Sequence, residues 1–103
     1  MAGSRQEDVT LVNAGAGQCS VAGDLTLATA AALWRQLRSS GLLRGAASVD
    51  LSQVKECDSA GLALLLAWRA SCQANGGDLV VKDLPARLAA LARLTEAQAM
   101  LSG

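Results

Sequence analysis

The sequence predicts a small single-domain α/β protein with a mixed, mostly parallel sheet and helices packed against it. Three observations lead there. At 103 residues the chain has the length of one domain and can bury roughly two thirds of the surface that its unfolded form exposes. Apolar residues make up 51%, yet only Trp34 and Trp68 are aromatic, so the core has to be assembled from Leu, Val and Ala. Short β-type runs alternate with longer helix-forming segments, and that alternation builds strand-helix-strand units on a parallel sheet.

The elements follow in the order ββαβαβα, with one further short helix at the end. Val9 to Val12 (VTLV) and Gln18 to Ala22 (QCSVA) are β-type runs. The intervening NAGAG carries the glycines of a hairpin loop, so the two should pair antiparallel at the edge of the sheet. Leu27 to Arg38 is rich in helix formers, with Ala30, Leu33, Trp34 and Leu37 at helical spacing, and Ser39 to Gly45 closes that helix. Ala47 to Ser52 (ASVDLS) reads as a central strand, Gln53 to Asp58 as a loop, and Ser59 to Ala74 as a helix stopped by Asn75, Gly76 and Gly77. Asp78 to Leu84 is a further buried strand, and Pro85 fits the first turn of a helix whose apolar stripe is Leu88, Leu91 and Leu94. Thr95 and Gln98 have the spacing of a capping box, which predicts a last helix over EAQAML. The domain is expected to span residues 1–103, with residues 1–8 a flexible N-terminus.

Composition narrows the function. Nine basic and nine acidic residues cancel and no Lys/Arg cluster occurs, so the electrostatic term that dominates nucleic-acid binding is missing. The longest apolar run, Leu62 to Trp68, is far short of the about 20 residues that span a bilayer, and the N-terminus has no apolar signal core. A soluble cytoplasmic chain without direct membrane insertion is expected. Cys19, Cys57 and Cys72 form no C-x-x-C pair and are expected as buried or half-buried free thiols. The sequence contains no histidine, which removes a Ser-His or Cys-His pair and any His-containing metal site. GAGQCS lacks the lysine of a phosphate-binding loop. No enzyme, metal or cofactor is indicated.

The stretch CDSAGLALLL, Cys57 to Leu66, carries the candidate site. It lies where the central strand delivers the chain to the C-terminal end of the sheet, the usual place for functional groups in open α/β sheets. Asp58 or Ser59 can cap the free N–H groups of the helix that follows. The same helix end favours an anion, so a phosphate on Ser59 fits equally well. Gly61 allows another backbone or protein surface to come close, or relieves crowding between helix and sheet. At about 100° per residue, Leu62 and Leu66 share one side, Leu65 and Trp68 an adjoining one, and Leu64 lies nearly opposite with Ala67. Either a partner covers part of this circumference or the neighbouring helices do.

The stretch VDLSQVKECDSAGLALLLAW, Val49 to Trp68, resembles the signature of STAS domains, the family named for sulfate transporters and anti-sigma factor antagonists. VAGDLT (Val21 to Thr26) and GGDLVVKDLPARLAALARL extend the resemblance over most of the chain. Within the family the likeness is to the MlaB-type cytoplasmic subunits of phospholipid transporters, through GLALLL and the Leu33-Trp34 pair. That resemblance implies a subunit without catalytic activity that binds the ATPase of an ABC transporter and through it the membrane permease. It would sit peripheral to the inner membrane and support outer-membrane lipid asymmetry. Asp58, Ser59, Ala60, Gly61, Leu62, Leu66 and Arg69 are then the expected partner-binding residues. The other branch, the anti-sigma factor antagonists, would make Ser59 the acceptor of a partner serine kinase. Ala60 and Ala63 depart from that branch's D-S-S-G-L-G.

Overall fold

The computed structural model describes residues 9–94, which form a four-stranded sheet and three helices. Their order is β1 (Val9–Gly15), β2 (Gln18–Leu25), α1 (Leu27–Ser40), β3 (Ala47–Cys57), α2 (Ser59–Ala74), β4 (Leu79–Lys82) and α3 (Ala86–Leu94). The expected N-terminal segment 1–8 and the expected last helix over EAQAML lie outside the described residues. Strand order in the sheet equals chain order, β1-β2-β3-β4, with β1 antiparallel to β2 and the other two pairings parallel. The mixed, mostly parallel α/β fold expected from the sequence is the fold observed.

Successive parallel steps in one direction, each with a right-handed crossover, put their helices on the same face of a sheet. Alternation along the strands agrees with that arrangement. Val9, Cys19, Val21, Ala47, Val49, Leu51 and Leu79 are buried, whereas Thr10, Val12, Gln18 and Val80 are exposed. One face of the sheet thus carries the core, and among the described residues no helix covers the other.

Three strands run further than their hydrophobic patterns indicate, and β1 reaches Gly15, three residues into the expected hairpin loop. β3 continues through Cys57, where a loop from Gln53 was expected, and β2 continues through Gly23 and Asp24 to Leu25. The two keep pairing because β3 absorbs extra residues in bulges. Ser20 and Ala22 face Asp50 and Gln53, and Gly23 and Leu25 face Val54 and Cys57. Each bulge resets the side-chain alternation. Gln53, Lys55 and Glu56 are therefore exposed strand residues rather than loop residues. β4 is conversely shorter than expected, since Asp83 takes a φ of 55° and turns the chain out of the sheet.

The helices bury narrower stripes than their leucines imply. In α3, Leu88 and Ala92 are buried, Leu91 is half-buried and Leu94 is 81% exposed. Leu94 lies six residues past Leu88, about 120° around the helix from it. Pro85 precedes the first helical residue, and its carbonyl accepts the Ala89 N–H at 2.9 Å. α1 buries Leu33 and Leu37 together with Thr29, whose hydroxyl donates to the Asp24 carbonyl at 2.8 Å and accepts from the Thr26 N–H at 3.0 Å. Gly41 ends α1 in the left-handed conformation, φ 84°, which a glycine adopts without a Cβ penalty.

Trp68 is the largest fully buried side chain. Its indole N–H donates to the Leu42 carbonyl at 3.1 Å, and Ser71 Oγ donates to the Leu43 carbonyl at 3.0 Å, so α2 pins the segment that joins α1 to β3. The three cysteines are buried and unpaired. Burial pushes the Cys19 thiol up to about 11, with Cys72 adding to the effect. Trp68→Phe removes the indole donor and part of the packed volume. It is expected to destabilise the fold by about 1–3 kcal/mol, read as a lower urea midpoint at unchanged slope.

Candidate functional site

The site is built on the first turn of α2, where Asp58 stands just before the helix. One oxygen, Oδ1, accepts the N–H groups of Ala60 at 2.9 Å and Gly61 at 3.2 Å. The other, Oδ2, accepts the N–H of Leu27 at 3.2 Å, the first residue of α1. A single carboxylate thereby caps α2 and holds the start of α1 beside it. Sequence spacing gave Asp58 or Ser59 as the cap of α2; the structure assigns that role to Asp58 and adds the second helix.

Ser59 is the first residue of α2 and is exposed. Its hydroxyl, released from capping, stands at a helix N-terminus whose dipole favours negative charge. Ala60 is half-buried beside it. Gly61 is buried, and its place has a steric cause: a Cβ there would overlap the Leu25 carbonyl oxygen and come within 2.9 Å of Leu25 Cγ. The glycine lets α2 sit directly on the end of β2. Arg87 closes the other side by donating from Nε to the Cys57 carbonyl at 2.9 Å.

The leucines after the turn need a correction. Leu62, expected on an exposed docking side, is 4% exposed, and Leu64, on the opposite side, is 6% exposed. α2 is the middle helix, with α1 and α3 packed along its two flanks and the sheet beneath it. Gly61, Leu62, Leu64, Leu65, Trp68 and Cys72 therefore all find cover within one wide arc, about 160° at 100° per residue. Neighbouring helices account for the leucines without a partner. Leu66 is half-buried against the core. Arg69, expected to be available at the surface, has a side chain only 14% exposed and grips Asp78 through Nε at 2.7 Å and Nη2 at 3.1 Å. That guanidinium, followed by the Leu79 N–H, holds the Asp78 carboxyl below its ordinary range.

What α2 leaves open is a different set of residues. Ser59, Ala63, Ala67, Ala70 and Ala74 are exposed and follow one another along the outer side of the helix. Arg69 is the only charged residue of α2, so this outer side carries no charge at all. Leu27 extends the surface beyond the turn. It is 77% exposed, and its backbone is tied to Asp58. The sequence reading missed Leu27 as a neighbour of Ser59 because the two are 32 residues apart. The signal that could have found it is a leucine placed at the first position of a helix, where burial is poor.

A family model described as "Mlab, STAS domain" matches residues 3–102. The chain belongs to the STAS domain family. Among solved structures, the STAS domain resembles one titled as the anti-sigma factor antagonist SpoIIAA in its unphosphorylated form. The TM-score is 0.63 at 12% identity, covering 84% of this chain and 82% of that one. At that identity the likeness is one of fold. No curated protein matches the chain. Among the described residues of this STAS domain, no helix is long and apolar enough to cross a membrane.

The double role of Asp58 distinguishes two substitutions. Asp58→Ala leaves three N–H groups without their acceptor and is expected to cost about 2–3 kcal/mol. Asp58→Asn keeps one carbonyl oxygen, enough for α2 or for α1 but not both, and should cost about 1 kcal/mol. Chemical denaturation measures both losses. Hydrogen exchange at Leu27 and Ala60 shows which helix end the asparagine releases.

Proposed function

We propose that this chain is a non-catalytic accessory subunit of an ABC transporter that moves phospholipid between membranes and maintains outer-membrane lipid asymmetry. In this reading it binds the cytoplasmic ATPase, and through it the permease, and sits peripheral to the inner membrane. The contact is formed by the Asp58-Ser59-Ala60 turn, Leu27 and the outer side of α2. Leu62 and Gly61 support that surface from beneath, and Leu66 and Arg69 flank it.

The observation that carries the reading is the uncharged outer side of α2 next to an exposed Ser59, in a chain matched along nearly its whole length by the Mlab STAS family. A solvent-facing helix side ordinarily alternates with charge. Serine and alanine here leave room for a second protein to approach closely. Affinity capture of the tagged chain from its native host is expected to recover an ABC ATPase with its permease. Ser59→Arg and Ala67→Arg should each weaken that capture tenfold or more, by about 1.4 kcal/mol at least, because a charge would be desolvated without a partner. Ala67 is exposed in mid-helix, so Ala67→Arg should leave the melting temperature of the isolated chain unchanged, whereas Ser59→Arg sets a positive charge at a helix N-terminus and should cost the isolated chain about 0.3–1 kcal/mol. Capture of no ATPase by the unmodified chain overturns the proposal.

A second reading is favoured by one specific observation, the Ser59 hydroxyl left free by Asp58 at a helix N-terminus. A solved structure of similar fold is that of an anti-sigma factor antagonist. On this reading a partner serine kinase phosphorylates Ser59, placing roughly −1.5 to −2 charges beside Asp58 and releasing the bound protein. Incubation with the host's anti-sigma kinases and ATP is expected to add one phosphate, mapped to Ser59 by mass spectrometry. No added phosphate with any of them rules it out.

A further inference from the structure

The two edges of the sheet are guarded very differently. β4 is four residues long, ends in Lys82 and lies between Asp78 and Asp83, the short and charged kind of edge that resists pairing with another chain. β1 is seven residues long and contains neither charge nor proline. Among the described residues it pairs only with β2. The lack of charge extends from Val9 through the turn to Gly23, with Asp24 near the end of β2 the first charge. The outward N–H and C=O groups of β1 form an open, neutral template.

The geometry points to a second copy of this chain as the occupant of that edge, through antiparallel pairing of β1 with β1. A neutral edge is electrostatically matched to another neutral edge, and the net charge of zero gives two copies no overall repulsion. Antiparallel pairing of identical strands closes on a two-fold axis, so it yields a dimer and not a fibre. The two sheets then become one continuous sheet.

The register follows from the faces. Directly opposite residues of an antiparallel pair point to the same side. Val9 and Leu11 turn toward the core, while Thr10 and Val12 turn to the other face. The regular ladder of β1 with β2 runs from Val9 to Asn13, before the irregularity at Asn13/Gly15. Leu11 is its middle, so Leu11 stands opposite Leu11 of the second copy. Thr10 then stands opposite Val12 on the exposed side. A pairing of this length buries less than the about 1,200–2,000 Å² of a standard stable interface, which makes the dimer weak and concentration-dependent.

Sedimentation equilibrium of the full chain, from micromolar to millimolar concentration, is expected to show the mass rising from 10.5 kDa toward twice that value. Thr10→Lys combined with Val12→Lys sets like charges opposite each other at two places across the axis. It should weaken the dimer about tenfold or more. Thr10→Lys combined with Val12→Glu sets opposite charges there and should hold the dimer near its original strength. Both positions are exposed, and circular dichroism verifies that each variant is folded. A chain that stays monomeric at every concentration, or a dimer that the two double variants affect alike, overturns the proposal.

Discussion

The architecture depends on the Asp58 carboxylate. α1 and α2 belong to different strand-helix-strand units, and nothing in their local sequence brings their first turns together. One oxygen on each side of the carboxylate does so, reaching Leu27 of α1 and Ala60 and Gly61 of α2. The Asp58 N–H donates in turn to the Leu25 carbonyl at 3.3 Å, which anchors the capping residue to the end of β2. A helix end buried or crowded without such acceptors would leave donors unsatisfied. Here the donors of two helices share one acceptor group, and the exposed turn between them becomes a fixed surface.

Gly61 and the packing of α2 follow from that arrangement. With the first turn held against Leu25, only a residue without a side chain fits at the third place after Asp58. Further along, Leu65, Trp68 and Cys72 are fully buried, and Trp68 reaches across to the Leu42 carbonyl. The start and the far half of α2 are thus fixed by different partners, β2 at one end and the α1–β3 connection at the other. Arg69 and Asp78 add a clasp where the chain leaves α2 for β4.

Much of this was legible from residue pattern. A helix over about Ser59–Ala74 followed from a cap at Asp58 or Ser59 and the Asn-Gly-Gly after it, and the order of elements followed from alternation. What escaped were features that depend on a neighbour distant in sequence. The continuation of β3 through Lys55 and Glu56 is set by backbone pairing with β2 and is invisible in side-chain hydrophobicity. The burial of Leu62 together with Leu64 required knowing that α2 has a helix on each flank. A wheel shows angles and not neighbours. At the candidate site, Asp58 and Ser59 stood out by type and spacing, whereas Leu27 became part of it only through a hydrogen bond across 31 residues.

The bare row from Ser59 through Ala63, Ala67 and Ala70 to Ala74 has a thermodynamic consequence. Long charged side chains lose up to about 2 kcal/mol of rotamer freedom each when a contact immobilises them, and alanine loses none. This flank of α2 is therefore already in the state that any contact would impose on it. Recognition there is decided by shape and by what the other molecule gives up, with almost no ordering cost on the side of this chain.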